Sequence, residues 1–308
     1  MKLKVWFLET RPQFLLLSVV LAFLGISIAW YDSIVNPNIV HPNITFHLDY
    51  ALLTFLGLLL CHISVNVLND YFDYKSGIDL EVKRTPFSGG SGILPASLLK
   101  PGQVLWFGLI SLILAVPIGV YFVLARGWGL LPLLILGALC TVIYTPLLTK
   151  LGFPEWAPAA GMGTLPVLGA YFIQTTVYTF PAVIAAIPSG ILVHNLLLLN
   201  EFPDVAADSK AGRKTMPILI GKSKAWIVYS ALTAVVYLWI IGWVIAGKMP
   251  VFSLLALLTL PFAIKAIGGS RKHDDINQLV PAMANNVLVV LLTQLLLGIG
   301  YILGGVFS

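Results

Sequence analysis

The chain has 308 residues, of which 58% are hydrophobic and only 10% are charged, and its mean hydropathy is +0.94. This apolar content is higher than that of an ordinary soluble domain, so the composition excludes a water-soluble globular fold and predicts a membrane protein. There are 18 Lys and Arg against 13 Asp and Glu, which gives a formal net charge of +5.

Apolar stretches recur along the chain, and each is close to the ~20 residues that a helix needs to cross a bilayer. A closed β-barrel would alternate polar and apolar residues, and this sequence does not. We therefore expect an all-α membrane protein with nine transmembrane helices in a bundle, formed by a single domain over residues 1–308. The predicted spans are residues 13–31, 48–68, 103–125, 128–146, 156–174, 180–199, 225–246, 250–267 and 284–307.

The basic residues are distributed unequally between the two sides of such a bundle. Every Lys and Arg except Arg126 and Lys248 falls on the side of the N-terminus and the even-numbered loops. The positive-inside bias then places the N-terminus and these loops in the cytoplasm and the C-terminus outside. We expect a multi-pass protein of the cell membrane whose chemistry takes place at its cytoplasmic face.

Two acidic segments with the same pattern follow the second and sixth predicted spans. The segments are residues 66–79 and 200–208, and they contain the near copies Asn-Asp-Tyr-Phe-Asp at 69–73 and Asn-Glu-Phe-Pro-Asp at 200–204. The two spans cross in the same direction, so both segments should lie at the same surface, where they can face each other. We expect Gly77 to end the first helix and to leave Asp79 on the following loop. We expect Pro203 to mark a break between two helices.

The oxygen-bearing side chains within these segments are spaced for one face of a helix. Asn69 and Asp73 are four residues apart, as are Asp204 and Asp208. Carboxylates gathered at a membrane edge repel each other and lose hydration unless a cation compensates. Oxygen ligands select a hard ion, and Mg²⁺ binds through one or two carboxylates together with substrate phosphates. We therefore predict Mg²⁺, as two ions on a diphosphate, with the ligands Asn69, Asp70, Asp73, Asp79, Asp204 and Asp208.

Basic residues accompany the acidic segments on the same predicted side of the membrane. Acids that bind a metal beside bases that bind oxyanions describe a site for a metal–diphosphate unit. The alternative is that these bases only set the orientation of the spans. A Gly-rich loop at residues 85–92 also has two interpretations, because its amides could approach a phosphate or it could be a flexible connection. The bases concerned are Arg11, Arg84, Lys150, Arg213 and Lys214.

At these residues the sequence resembles the UbiA superfamily of intramembrane prenyltransferases. Its members carry Asn-Asp-x-x-Asp and a further Asp after the second helix, and Asp-x-x-x-Asp after the sixth, and both patterns are present here. The chain is most similar to the branch related to 1,4-dihydroxy-2-naphthoate polyprenyltransferase of menaquinone biosynthesis. Residues 70–79, 169–175 and 204–215 carry this similarity. The segment at 200–204 departs from it, since that branch often has Asn-Asn-x-Arg-Asp.

The resemblance implies a UbiA-type fold and the transfer of a polyprenyl group from its diphosphate to an aromatic acceptor. The expected partners are these two substrates and membrane lipid, with no nucleic acid. Tyr144 and Tyr171 could shield an allylic cation, or they could be ordinary membrane-interface tyrosines. The catalytic candidates are Asn69, Asp73, Asp204 and Asp208. The substrate-binding candidates are Arg11, Asn66, Arg84, Tyr144, Lys150, Tyr171, Gln174, Arg213 and Lys214.

Other functions fit parts of the same sequence. The acceptor could be another lipid quinone precursor or another lipid, and a Mg²⁺-dependent lipid phosphotransferase would also need acids at a membrane edge. An ion-coupled secondary transporter is a further candidate, but carrier sites lie near the bilayer midplane, whereas the acidic segments lie at one face. His62 and His194 lie within apolar spans, and we expect neither to bind a metal.

The charge distribution predicts which loops a membrane-impermeant thiol reagent can reach. In a variant without its two natural cysteines, Ser209→Cys should react only after the cytoplasmic side is opened, and Gly247→Cys should react in intact cells. The measurement is labelling before and after permeabilisation. The opposite pattern at both positions would refute the orientation derived from the basic residues.

Overall fold

The computed structural model describes residues 2–36, 46–82 and 84–308, and every regular element in these residues is helical. The α-helices are α1 (Lys2–Glu9), α2 (Pro12–Val35), α3 (Leu48–Ser76), α4 (Ile78–Glu81), α5 (Pro101–Arg126), α6 (Leu131–Ile143), α7 (Thr149–Leu151), α8 (Trp156–Ala159), α9 (Leu165–Thr175), α10 (Phe180–Asn200), α11 (Val205–Lys210), α12 (Met216–Ile220), α13 (Lys222–Ile245), α14 (Leu260–Ser270) and α15 (Ile276–Val306). 3₁₀-helices at Trp128–Leu130 and Val251–Thr259 precede α6 and α14. π-helical turns at Tyr144–Leu148 and Ala160–Thr164 join α6 to α7 and α8 to α9.

Eight helices in the described residues have the length and apolarity of a membrane span, so the prediction of an all-α membrane bundle is confirmed. They are Pro12–Val35, Leu48–Ser76, Pro101–Arg126, Trp128–Leu151, Phe180–Asn200, Lys222–Ile245, Val251–Ser270 and Ile276–Val306. The expected count of nine is not confirmed. The remaining stretch, α8 to α9, is helical but is not among the eight.

Helix α2 is the central column of the bundle. It contacts α3, α9, α10 and α15, and most of its side chains are buried. Its approach to α9 depends on Gly25, where an added Cβ would overlap the carbonyl oxygen of Val167. By contrast, α5 presents exposed apolar side chains such as Ile113 and Leu124, as a helix that faces lipid does. The fold therefore has a buried centre and an apolar exterior.

Buried polar side chains tie three of the helices together. The amide of Asn195 on α10 donates to the backbone of Tyr229 and to Thr233, both on α13. Asn286 on α15 donates to the carbonyl oxygen of Asn195 and accepts a hydrogen bond from the Tyr229 hydroxyl. Such hydrogen bonds supplement van der Waals packing where lipid supplies no hydrophobic force between helices.

The carboxyl ends of α3 and α10 lie at the same end of the bundle as the amino end of α2, and we call this the motif end. Gly77, with φ of 85°, ends α3 as predicted. Our expectation that Asp79 lies on a loop is wrong, since a further helical turn, α4, contains it. Helix α10 ends at Asn200 and α11 begins at Val205, so the predicted break around Pro203 is confirmed.

The close approach of α2 and α9 predicts that Gly25→Ala destabilises the bundle. The new methyl group would press on backbone rather than on a flexible side chain, and overpacking of this kind typically costs about 1–3 kcal/mol. Thermal unfolding in detergent should show a lower midpoint. Gly242→Ala in α13 is the control, because no atom lies within 4 Å of an added Cβ there. Equal midpoints for the two variants would refute this account of the packing.

Candidate active site

A cavity of about 210 Å³ lies at the motif end and gathers most of the residues that the sequence singled out. It is bounded by α2, α3, α4, the π-helical turn after α6, α10 and the segment that follows α11. The predicted residues that line it are Arg11, Asn66, Asn69, Asp73, Asp79, Tyr144, Asp204, Asp208 and Arg213.

Arg213 connects the two acidic segments directly. Its guanidinium donates to Asp208 Oδ1 over 3.0 Å and to Asp73 Oδ1. All three side chains are largely buried. A guanidinium has five N–H donors in a planar fork, so one residue can satisfy carboxylates from two helices. The two segments thus face each other across the cavity with a cation between them.

Asn69 joins the first segment to the π-helical turn after α6. Its side-chain nitrogen donates to Asp73 Oδ2 over 3.2 Å and to the Thr145 hydroxyl over 3.0 Å. Asn69 and Asp73 therefore share a face of α3, as their spacing predicts. With the nitrogen engaged in these two hydrogen bonds, the amide oxygen is the atom of Asn69 suited to a cation.

Asp70 points away from the cavity toward the Gly-rich loop. Its Oδ2 accepts a hydrogen bond from the backbone N–H of Ser91 over 2.8 Å, and Arg11 lies 3.8 Å from its Oδ1. The Ser91 hydroxyl donates to Glu9 Oε2 over 2.9 Å, and Glu9 is completely buried. The loop thus closes over the first segment and joins it to the end of α1.

The tip of this loop packs against Asp79. An added Cβ at Gly90 would lie 2.8 Å from Asp79 Oδ2, and Gly90 has φ of 71°, which an L side chain rarely adopts. Arg84 is held inside the loop, where its Nε donates to the Gly89 carbonyl oxygen over 3.1 Å, and it is not among the lining residues. The loop therefore borders the cavity, where Ser88, Gly89 and Gly90 line the wall.

Burial gives these acids an unusual electrostatic environment. Burial, reinforced by the charges of Asp70 and Asp73, raises the pKa of Asp79 to about 8. Burial and the charge of Asp208 raise the pKa of Asp204 to about 7. Burial alone would lower the pKa of Arg213, but Asp73 and Asp208 offset it and raise that pKa above its ordinary value. Excess buried negative charge of this kind is what a bound cation relieves.

The donor set around the cavity fits Mg²⁺. Buried oxygen atoms of Asp204, Asn200 and Glu201 have no hydrogen-bond partner within the described residues. Oxygen ligands of this type suit a hard divalent ion. Among the residues that the structure describes, no three carboxylate, His or Cys groups converge on a single point as metal ligands. Arg213 lies where the opposed carboxylates would otherwise approach one another.

Four further substrate-binding candidates lie away from the cavity. Lys150 and Lys214 are exposed near the motif end and do not line it. Tyr171 and Gln174 lie at the opposite end of the bundle. The Tyr171 hydroxyl donates to Asp32 over 2.7 Å, and Gln174 exchanges hydrogen bonds with the backbone of His47. Our grouping of Tyr171 and Gln174 with the substrate site is wrong, because α9 carries them toward the far surface.

The cavity also contains residues that sequence reasoning did not assign to the site. His62 and Asn200 line the wall, and Thr145, which is not a lining residue, accepts a hydrogen bond from Asn69. The pattern that the two segments share could have indicated Asn200, which occupies the position of Asn69. Glu9 and Ser91 border the first segment without any spacing that connects them, since they are far apart in sequence.

Comparison with known proteins identifies the family. A sequence model of the UbiA prenyltransferase family matches residues 38–287. The chain belongs to this family. It is 29% identical over 301 residues to the 1,4-dihydroxy-2-naphthoate octaprenyltransferase of Bacillus subtilis, a match that covers 96% of this chain and 91% of the relative. Family membership makes it an integral membrane prenyltransferase and disfavours the transporter alternative.

Solved structures share the fold of this UbiA-family chain. A UbiA homologue from Aeropyrum pernix K1 in its apo form superposes with a TM-score of 0.68 at 15% identity, over 94% of this chain and 97% of the homologue. A UbiA homologue from Archaeoglobus fulgidus bound to DMAPP and Mg²⁺ gives a TM-score of 0.64 at 14% identity, over 96% and 98%. The UbiA-type fold implied by the sequence motifs is therefore confirmed.

The contact between the loop tip and Asp79 predicts that Gly90→Ala impairs prenyl transfer. The methyl group would displace the Asp79 carboxylate or the loop, and misplacement of an active-site group by ~1 Å can cost ~10²-fold in rate. We expect at least a tenfold loss of turnover in a product assay, a conservative bound on that effect. Gly247→Ala is the matched control, because Gly247 also has positive φ but no atom lies within 4 Å of an added Cβ. Similar losses in both variants would show that backbone strain, and not the Asp79 contact, is responsible.

Proposed function

We propose that the chain transfers a polyprenyl group from its diphosphate to a 1,4-dihydroxy-2-naphthoate-like acceptor, with Mg²⁺ bound at the motif end. The observation that carries this proposal is the cavity itself, where two acidic segments oppose each other at one end of an apolar-walled space. A polyprenyl diphosphate likewise has a charged end that suits a metal site and a hydrocarbon chain that suits apolar walls. The whole chain would act as one membrane domain.

The wall of the cavity beyond the acidic segments supports a prenyl substrate. Phe14 and Leu17 from α2, Met162 from the turn before α9, and Leu196 and Leu197 from α10 line it. Apolar surface of this kind favours burial of a hydrocarbon chain, with ~25 cal/mol gained per Å² removed from water. A nucleotide or sugar would leave its polar groups unpaired against such a wall.

The metal-binding role falls to the oxygen ligands around the cavity. In this proposal Asn69, Asp73, Asp204 and Asp208 hold two Mg²⁺ ions. Asp79 lies at the cavity wall, and Asp70 is the residue that follows Asn69 in α3. Bound Mg²⁺ would stabilise the negative charge that develops on the diphosphate as the prenyl C–O bond breaks.

Cationic and aromatic side chains would complete the substrate site. Arg213 and Arg11 line the cavity and can donate charge-assisted hydrogen bonds to phosphate oxygens. Lys150 and Lys214 lie outside the cavity, so they would act at longer range on an approaching diphosphate. Tyr144 lines the cavity near Arg213, where its ring could shield a cationic prenyl group from water.

The acceptor and the orientation rest on different arguments. The Bacillus subtilis relative is a 1,4-dihydroxy-2-naphthoate octaprenyltransferase, and the match runs over nearly the whole chain, which supports a similar acceptor here. The positive-inside distribution supports a cytoplasmic motif end, a cytoplasmic N-terminus and a C-terminus outside. Menaquinone biosynthesis is the process that these assignments favour.

The decisive experiment is product identification with purified protein. The protein would be incubated with Mg²⁺, a labelled polyprenyl diphosphate and 1,4-dihydroxy-2-naphthoate, and the lipid product identified by mass spectrometry. We expect a prenylated naphthalene, no product in excess chelator, and recovery when Mg²⁺ is restored. Parallel reactions with other aromatic acceptors test the acceptor assignment. Turnover that persists in excess chelator would contradict the metal assignment.

The opposed positions of Asp73 and Asp204 predict that each is needed for activity. Asp73→Ala and Asp204→Ala each remove an oxygen ligand and a negative charge, so turnover should fall by at least ~10²-fold, as expected for a major electrostatic contact in a catalytic site. The measurement is turnover at saturating Mg²⁺, together with thermal unfolding to verify folding.

Asp274→Ala is the control for these two variants. Asp274 is exposed, pairs with Lys222 and lies outside both acidic segments. Exposed ion pairs contribute little to stability, so this variant should keep near-normal turnover. Near-normal turnover in the Asp73 or Asp204 variant, or an equal loss in the Asp274 variant, would refute the proposed roles.

A further inference from the structure

The proposed metal and diphosphate sites make no use of one polar side chain that lines the cavity. His62 lies on α3 and lines the cavity together with Asn66, Asn69 and Asp73. These four residues follow the spacing i, i+4, i+7 and i+11, so they form one stripe along the face of α3 that borders the cavity. His62 is at the deep end of this stripe, about 10 Å along the helix axis from Asn69 at ~1.5 Å per residue.

The imidazole is held in place from one side. Its Nδ1 forms a hydrogen bond of 2.8 Å with the hydroxyl of Ser18 on α2, and both residues are almost fully buried. Nε2 makes no hydrogen bond with any described residue. Because the Ser18 hydroxyl can either donate or accept, Nε2 is free to accept or to donate in turn. The ring is thus oriented, with one nitrogen still available.

A structural role accounts for only half of this arrangement. The bond between Ser18 and Nδ1 is a typical interhelical hydrogen bond within a membrane, and it explains why α2 and α3 meet there. It does not account for Nε2, which has no hydrogen-bond partner among the described residues although the His62 side chain lines the cavity. Ionisable residues inside membrane spans are costly and usually mark a substrate or ion pathway.

Several other side chains of the cavity wall cannot pair with Nε2, and the hydroxyl of Thr141, which also lines the cavity, already donates to the Gly137 carbonyl oxygen. Leu17, Val65 and Met162 line the same cavity and offer no hydrogen bond donor or acceptor from their side chains. A prenyl chain is a hydrocarbon and also has none. A hydroxylated aromatic ring has both an apolar body that suits these walls and a polar group that suits one imidazole nitrogen.

We propose that His62 is an acceptor-binding residue that takes a ring hydroxyl of the aromatic substrate as the hydrogen bond partner of Nε2. This inference rests on the proposed function, since it assumes an aromatic acceptor. With the hydroxyl held by His62, the ring lies in the apolar part of the cavity between His62 and the acidic segments. One edge of the ring then faces the diphosphate end, where the prenyl group would be delivered. His62 distinguishes a hydroxylated acceptor from the prenyl chain through this hydrogen bond.

The test compares the two substrates separately. In His62→Phe, which keeps an aromatic ring of similar size but no nitrogen, the KM for the hydroxylated acceptor should rise about tenfold, as expected for one lost hydrogen bond. The KM for the polyprenyl diphosphate and the Mg²⁺ requirement should change less than about twofold, since neither is contacted by Nε2. His62→Gln, which can restore a hydrogen bond, should recover part of the acceptor affinity. An equal rise in both KM values, or none, would overturn the proposal.

A second comparison changes the acceptor substrate instead of the protein. Wild-type protein should bind an acceptor with methoxy groups in place of its hydroxyls about tenfold more weakly than the hydroxylated acceptor, and His62→Phe should bind the two equally. If His62→Phe still discriminates between the hydroxylated and methoxy acceptors as the wild type does, another residue binds the hydroxyl.

The wild-type reaction separates the proposed function from the proposed role of His62. If it yields no prenylated aromatic product, the proposed function fails and this inference with it. If it is active and insensitive to both changes, only the role of His62 is refuted.

Discussion

The guanidinium of Arg213 lies between carboxylates that belong to two distant segments, and the structure of the motif end depends on this pairing. Asp73 lies near the end of α3 and Asp208 lies in α11, which follows α10, so this one cation joins the end of α3 to the segment after α10. Removal of one partner from a buried ion pair typically costs about 3–5 kcal/mol, because the remaining charge is left without compensation. Charge balance in a poorly hydrated space is therefore the constraint that shapes the site.

The rest of the bundle makes this concentration of charge possible. Helix α2 is buried against four other helices, with Gly25 allowing its backbone to approach α9, and buried amides such as Asn195 tie α10 to α13. Close packing and interhelical hydrogen bonds are the forces available where lipid surrounds the protein. They fix the helix ends well enough for acids, Arg213 and the Gly-rich loop to meet around one cavity.

Residues at different depths along helix α3 are suited to different parts of the substrates. Its polar stripe begins at Asp73 and Asn69, which face the opposite acidic segment, and ends at His62 among apolar side chains. A charged leaving group and an aromatic acceptor have different requirements, and a single helix can present a residue for each at a fixed separation. The proposed roles of Asp73 and His62 thus follow from their position along one face as much as from their chemistry.

The membrane class, the helical spans, the two acidic segments and the family could all be predicted from the sequence, because hydrophobic length and short-range spacing express these features directly. The helix end at Gly77 and the break at Pro203 were also predictable, since they depend on local backbone chemistry.

The sequence could not predict which polar residues meet across the bundle. Tyr171 and Gln174 belong to a stretch typical of the family, yet α9 carries them to the far end, where they pair with Asp32 and the backbone of His47. The partnerships of Arg213 with Asp73, of Ser91 with Glu9 and Asp70, and of His62 with Ser18 join residues far apart in the chain. Such contacts are decided only by tertiary packing, since the direction of a side chain at a helix end depends on its neighbours in space and not on the residues beside it in sequence.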